Sequence, residues 1–337
     1  MKVALITDAL NRPASELALT ILQNGFGPLE DVHFEVLQYC DLANWRGEIA
    51  LLMGYDARAS DVRDQAPQAI VGVIDPRPRQ KLSLKEVDFL LPNGFESWQQ
   101  WRSFGVPQEL FFLLELAKQH DGSRHSRERF SGIPRLGYLG NKVHLKRLKQ
   151  VAGDFLFEAA LDRSISINVY LSDHVSERDK SWLPPSTRFF KLGEDPIEDF
   201  LNETDVGLIP QLRPRQTSDR VVSLVRRLSK DRNNVVDLNF KPTTNPGRIL
   251  TFAQFGIPVI VESTPSATYL LGNDFRKFIV FDSAGWEDAL RSVIAKDDQL
   301  PSLSTHMSGR YRQMADPASQ ARRILDCASE IIRDRVV

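Results

Sequence analysis

The chain has 337 residues, 42% of them hydrophobic and 26% charged, with 43 lysines and arginines against 44 aspartates and glutamates. That balance excludes bulk disorder and any global pull toward nucleic acid or an anionic membrane, and the length suggests two domains. Two distant cysteines, Cys40 and Cys327, and six histidines without metal-ligand spacing argue against a disulfide framework and a cysteine-based zinc site.

The first apolar run, Val3–Thr7, is stopped by Asp8, too early for a signal-peptide core. No uncharged stretch reaches the length of a membrane span. The default location is therefore cytoplasmic. Further runs stand at Phe34–Tyr39, Ile49–Met53, Ala69–Ile74 and Phe89–Leu91, each the length of a strand buried on both faces. Between the first two, Ser15–Asn24 has apolar residues at helical spacing, with Gly25 as its expected stop. Strand, helix, strand is the βαβ unit and implies a parallel sheet. From Lys118 to Arg135 apolar residues are sparse and turn formers common, which reads as an interdomain linker or a surface loop.

The alternation then resumes. Strands are expected at Leu136–Gly140, Ile165–Leu171, Thr187–Leu192, Val206–Pro210, Pro258–Val261 and Phe278–Phe281. Helices are expected at His144–Gly153, Ile197–Asn202, Arg248–Phe255, from Ser283 through Leu290, and over Pro317–Arg335. The chain thus reads as two consecutive α/β sandwiches. Two such cores invite closure of the cleft between them, unless a large apolar interface holds it rigid.

The richest stretch runs from Asp205 to Gly272. Lys241-Pro242-Thr243-Thr244-Asn245-Pro246-Gly247 is a turn-rich loop, succeeded by the short helix and by the strand after Gly256-Ile257-Pro258. Such a loop brings N–H groups, hydroxyls and cations to a helix N-terminus, an arrangement that suits a phosphate or diphosphate, or else forms a plain solvated connection.

Asp205-Val206-Gly207-Leu208-Ile209-Pro210, then Lys241-Pro242, Arg248 and Gly256-Ile257-Pro258-Val259-Ile260, resembles the C-terminal nucleotide-sugar domain of GT-B glycosyltransferases of the retaining family 4 type. Leu136-Gly137-Tyr138-Leu139-Gly140-Asn141-Lys142 resembles the opening of that domain, and Asp282 to Leu290 its closing segment. The resemblance covers roughly residues 135–335. It implies two Rossmann-like domains across a cleft: 1–130 on the acceptor side and 131–337 on the donor side, with the last helix crossing back to the first domain. It further implies a donor linked to UDP, GDP or ADP, its diphosphate held by Lys142, Lys146, Lys241 and Arg248. Thr243, Thr244, Asn245 and Thr251 would face the donor sugar or ribose. The family's two glutamates are replaced by Thr243 and Thr251, hydroxyls without charge. The alternatives are therefore a catalytically degenerate sugar-nucleotide-binding protein or a nucleotide-sugar epimerase of the same fold.

No Asp-x-Asp triplet occurs, which suits a metal-independent site without a cofactor, where cations and a helix end stabilise the leaving diphosphate. On the acceptor side, Asp75 and then Asp8 stand at strand ends as candidates for the acceptor hydroxyl or its base. His144 is expected on an exposed helix face. The insertion 213–232 holds seven basic residues against two acidic ones, around an apolar stripe. It reads as a solvated helix with its apolar face in the core, as a peripheral membrane contact, or as an anionic acceptor site. It lacks the aromatic residues that single-stranded nucleic acid needs.

Overall fold

A computed structural model describes residues 1–76, 83–116, 132–171, 176–211 and 245–336. Arg77 and Arg79, linker residues 118–131, the insertion 213–232, and Lys241, Thr243 and Thr244 lie outside the described residues.

The first half builds a parallel sheet from β1 (Lys2–Ile6), β2 (His33–Leu37), β3 (Ile49–Met53), β4 (Ile70–Ile74) and β5 (Phe89–Leu91), in the order β2-β1-β3-β4-β5. β3 and β4 are buried at every residue, as strands covered by helices on both faces must be. The helices of this half are α1 (Pro13–Phe26), α2 (Ala59–Gln65) and α3 (Phe95–Trp101).

The second sheet comprises β6 (Arg135–Gly140), β7 (Ser166–Leu171), β8 (Arg188–Lys191), β9 (Val206–Ile209), β10 (Val259–Glu262) and β11 (Ile279–Val280). Its order, β11-β10-β9-β6-β7-β8, is the Rossmann order, and all its pairings are parallel. Its helices are α4 (Lys142–Leu161), α5 (Glu177–Lys180), α6 (Ile197–Asn202), α7 (Gly247–Gln254), α8 (Pro265–Leu271), α9 (Ser283–Ile294), α10 (Gln299–Arg310) and α11 (Pro317–Val336). Strand order reverses between β1 and β3 in the first sheet and between β6 and β9 in the second. These are the switch points where an open α/β sheet has a crevice at its carboxyl edge.

Two helices run past the glycines at which their expected ranges end. Gly25 lies inside α1, where a β-carbon would stand 2.5 Å from the Pro317 carbonyl oxygen and 2.9 Å from the Ala321 β-carbon of α11. The glycine permits close helix contact rather than ending the helix. α4 runs past Gly153 to Leu161, with the Trp182 ring 3.4 Å from a would-be β-carbon at Gly153, an ordinary contact distance.

Between the sheets the chain runs as an extended strap, residues 108–116. Phe111–Leu114 are buried, in one apolar cluster with α1, α11 and the second sheet. Buried backbone groups need partners. The strap begins beside β5, where Glu109 and Phe111 N–H donate to the Leu90 and Pro92 carbonyls at 3.0 Å. Beyond that point side chains supply the bonds. Phe112 N–H donates to Gln320 Oε1 at 2.6 Å, and Gln320 Nε2 returns a bond to the Phe112 carbonyl at 3.3 Å. Arg323 bonds the Leu110 carbonyl at 3.1 Å, Asn245 Nδ2 that of Leu113 at 2.9 Å, and Thr251 Oγ1 that of Glu115 at 3.3 Å. The strap is thus clamped between α7 and α11 before residue 116. Burial also raises the Glu115 carboxyl above the usual carboxylate range.

The α1–α11 contact sets a test. Gly25→Ala forces a β-carbon into the α11 backbone and should destabilise by about 1–3 kcal/mol. Gly309→Ala, in α10 with nothing within 4 Å of the new methyl, should stabilise by about 0.5–1 kcal/mol. Urea unfolding of both variants checks the pair; equal effects would remove the close contact from the account.

Candidate functional site

The carboxyl edges of the two sheets meet at one point. α3 comes after β5 and α8 after β10, and their first turns cap each other. Phe95 N–H donates to Ser266 Oγ at 3.0 Å, Ser266 N–H donates to Glu96 Oε1 at 3.0 Å, and the Ser266 hydroxyl donates to the other Glu96 oxygen. Phe95 lies against Tyr269, ring centroids 3.9 Å apart. The loops that end β1, β3, β6 and β9 lie on these same edges.

On the second sheet, β6 ends at Gly140, whose φ of 152° and lack of a side chain open the turn into α4. Asn141 caps α4, its Oδ1 accepting from Val143 and His144 N–H at 3.1 and 3.3 Å. The helix start beyond this cap is electrostatically adverse. The first turns of α4 carry Lys142, His144, Lys146 and Arg147 and no acid in the first turn, although a helix N-terminus is already the positive end of its dipole. Two of these four residues are ion-paired with acids from elsewhere in the second sheet's half.

Within this group the partners differ. Lys146 pairs with Asp179 at 3.1 Å, and bonds from Ser176 and Lys146 hold the Asp179 carboxyl below the usual range. Arg147 makes a two-pronged pair with buried Glu262 at the end of β10, its Nε 3.1 and 3.2 Å from the two oxygens, and Gln211 N–H donates to Glu262 at 2.7 Å. Lys142 is exposed at the helix start. His144 is not on an exposed face: its Nδ1 lies 3.1 Å from the Pro210 carbonyl at the end of β9, in the crevice between β6 and β9.

Arg248 reaches the same place from α7. Its Nη2 donates to the Pro210 carbonyl at 3.2 Å. Its Nη1 is buried without a hydrogen-bond partner among the described residues, and a β-carbon on Gly140 would stand 3.4 Å from it. Desolvation lowers the Arg248 pKa, partly offset by Tyr138 and Glu262. An orphaned guanidinium nitrogen at a switch point, beside a glycine turn and a basic helix end, is a ready anion donor.

Asn245 and Thr251 face elsewhere. Gly247 and Thr251 are one turn apart and share the face of α7 toward the strap; a side chain at 247 would meet the Leu113 carbonyl. Asn245 Oδ1 accepts from Gly247 N–H at 2.8 Å while its amide holds Leu113. Thr251 is 1% exposed and its hydroxyl holds Glu115. In this arrangement both side chains are engaged in anchoring the strap.

On the first sheet, Asp8 pairs with Arg58 and accepts from Tyr39 N–H at 3.1 Å, remaining half exposed. Asp75 is 1% exposed with a left-handed φ of 50°, an uncommon conformation for a residue with a side chain. Sequence reasoning missed the crevice position of His144, the Arg147–Glu262 pair, and Asp56 at the end of β3. The run of basic residues at the start of α4 was the one signal available for the first two. Among the described residues no group of three or more His, Cys, Asp or Glu is placed to hold a metal ion, and no helix is long and apolar enough to cross a membrane.

No family model matches the chain, and no curated protein matches it in sequence. Solved structures match its fold over nearly its whole length. A glycosyltransferase from Rickettsia africae aligns with TM-score 0.65 and 9% identity, covering 98% of each chain. Anabaena HepE in complex with UDP-glucose aligns with TM-score 0.58 and 10% identity over 98% of this chain and 100% of its own. UDP-GlcNAc 2-epimerase from Neisseria meningitidis, bound to UDP-GlcNAc, aligns with TM-score 0.57 and 9% identity over the same shares. The fold is therefore GT-B: two Rossmann-like domains in an α/β architecture.

The Arg147–Glu262 pair fixes the start of α4 against β10. Arg147→Met leaves the Glu262 carboxylate buried with the Gln211 N–H still donating to it but its counter-charge gone, and should cost about 3–5 kcal/mol in urea unfolding. A loss below about 1 kcal/mol would show that the pair is not needed to hold the helix.

Proposed function

We propose that the chain binds a nucleotide-diphosphate sugar with its diphosphate at the β6–β9 crevice and transfers the sugar to an acceptor held on the first sheet, without a metal ion. The observation that carries this reading is the buried Arg248 Nη1 beside Gly140, which no described residue bonds. The basic start of α4 supports it, and so does the fold, which structures bound to UDP-glucose and UDP-GlcNAc share.

In this reading Arg248 donates to a diphosphate oxygen, and Lys142 and the first N–H groups of α4 supply further positive potential. Lys241, Thr243 and Thr244, which lie outside the described residues, are the loop's further expected contacts to the diphosphate and to the sugar or ribose. As the bond between sugar and diphosphate breaks, charge grows on the departing oxygen. Fixed donors in a desolvated crevice stabilise that charge without reorganising. Lys146, held by Asp179, contributes long-range charge rather than a direct bond. Binding of a UDP-, GDP- or ADP-linked donor is common to this reading and to its alternatives. An epimerase would act on the same bound nucleotide sugar and release a free epimer, and a degenerate binding protein would release nothing.

Titration calorimetry against a panel of UDP-, GDP- and ADP-sugars, with product analysis of any that bind, tests the proposal. A charge-assisted bond contributes about 1.5–3 kcal/mol, so Arg248→Gln should weaken the best donor about ten-fold or more. Turnover by the wild type should persist in excess EDTA. Unchanged donor affinity in Arg248→Gln would remove Arg248 from the site, and abolition by chelator with rescue by magnesium or manganese would overturn metal independence.

A further inference from the structure

The switch point of the first sheet carries the electrostatic counterpart of Arg248. β3 ends at Met53 and the chain turns through Gly54, Tyr55 and Asp56. The Asp56 carboxylate spans the crevice to the end of β1. Its Oδ2 accepts from the Thr7 hydroxyl at 2.6 Å and from Asp8 N–H at 3.1 Å. Its Oδ1 is buried and has no hydrogen-bond partner among the described residues. The carboxylate is thus fixed in orientation through one oxygen, while the other lacks a donor at the place where an open parallel sheet binds ligands.

The neighbouring groups do not supply that donor. The Arg58 guanidinium lies over the Tyr39 ring, 3.7 Å from its centroid, and pairs with Asp8 and, at 3.7 Å, with Asp61. The Arg12 guanidinium lies over the Tyr55 ring at 4.6 Å. The Tyr55 hydroxyl bonds Ser15, and the Tyr39 hydroxyl accepts from Arg58 N–H at 2.9 Å. Burial, reinforced by the Asp56 charge, raises the pKa of both phenols, so they stay protonated. A desolvated carboxylate oxygen left without a donor carries a free-energy penalty that a ligand hydroxyl relieves.

We propose that Asp56 Oδ1 binds a hydroxyl of the sugar or polyol acceptor, and that Thr7 and the Asp8 backbone position the carboxylate for it. Calling that ligand the acceptor rests on the glycosyl-transfer reading, but the hydroxyl site itself does not depend on it. Asp56 joins Asp8 and Asp75, the two sequence candidates, and differs from each in its surroundings. Asp8 is half exposed and ion-paired with Arg58. Asp75 is 1% exposed, on a left-handed backbone. Asp56 combines a fixed geometry with a buried oxygen that no described group bonds.

The test uses D-glucose, glycerol and N-acetylglucosamine as hydroxyl probes on the full chain, titrated with and without saturating UDP. UDP affinity is measured separately by calorimetry. Wild type should bind at least one probe. Asp56→Asn should weaken that probe ten-fold or more while UDP affinity stays within two-fold, and Thr7→Val should weaken it in the same direction by less. Asp61→Asn, at a partly exposed carboxylate of α2, should change neither. Should Asp56→Asn fail to fold, the carboxyl carbon of Asp56 in ¹³C-labelled wild type should shift on addition of the probe. Equal probe affinity in wild type and Asp56→Asn, no probe binding by wild type in either condition, or an unmoved Asp56 carboxyl signal would overturn the proposal. Failure of UDP to bind would count against the donor site instead, and leaves the probe titrations without UDP to decide Asp56.

Discussion

The strap at residues 108–116 is the constraint on which the rest of the arrangement depends. An extended, buried segment that leaves its ladder after Phe111 must find its remaining hydrogen bonds one side chain at a time. Here Gln320 and Arg323 reach it from α11, Thr251 from α7, and Asn245 from the turn before α7. α11 is in turn pressed against α1 through Gly25. One buried apolar cluster therefore runs from the first sheet's helix through the strap into the second sheet. Together with the Glu96–Ser266 contact, this gives the two sheets a common frame rather than a single covalent tether.

The same constraint divides α7 into two working faces. Gly247 and Thr251 must face the strap, which leaves Arg248 turned toward Pro210 and Gly140. A short helix thus anchors the connection and delivers a cation to the crevice. The basic start of α4 arrives from the other side of that crevice. Among the described residues, the two switch points end up with opposite unpartnered groups, a guanidinium nitrogen on the second sheet and a carboxylate oxygen on the first. An anion suits the former and a hydroxyl the latter.

Much of this was legible in the sequence because it is written locally. Ile49–Met53 and Phe89–Leu91 are strands as expected, since short apolar runs between turn formers leave few other options. Arg248 could be picked out because a turn-rich loop leads directly into its helix. Other features depend on residues far away in sequence. Gly25 looks like a helix stop until the α11 backbone is seen against it. The strap shows no periodicity, and Gln320 lies 208 residues from the Phe112 backbone it satisfies. Asn245 and Thr251 resemble ligand-binding positions, but their bonding is determined by where the strap passes. Asp56 is one acidic residue among many until the β1–β3 pairing brings Thr7 to its side.

The most direct test of the central claim is a crystal structure of the chain with UDP bound. The diphosphate should lie between the ends of β6 and β9, with an oxygen within hydrogen-bond distance of Arg248 Nη1 and the Asn245 and Thr251 bonds to the strap intact. A diphosphate bound elsewhere, with Arg248 Nη1 still unpartnered, would contradict that claim.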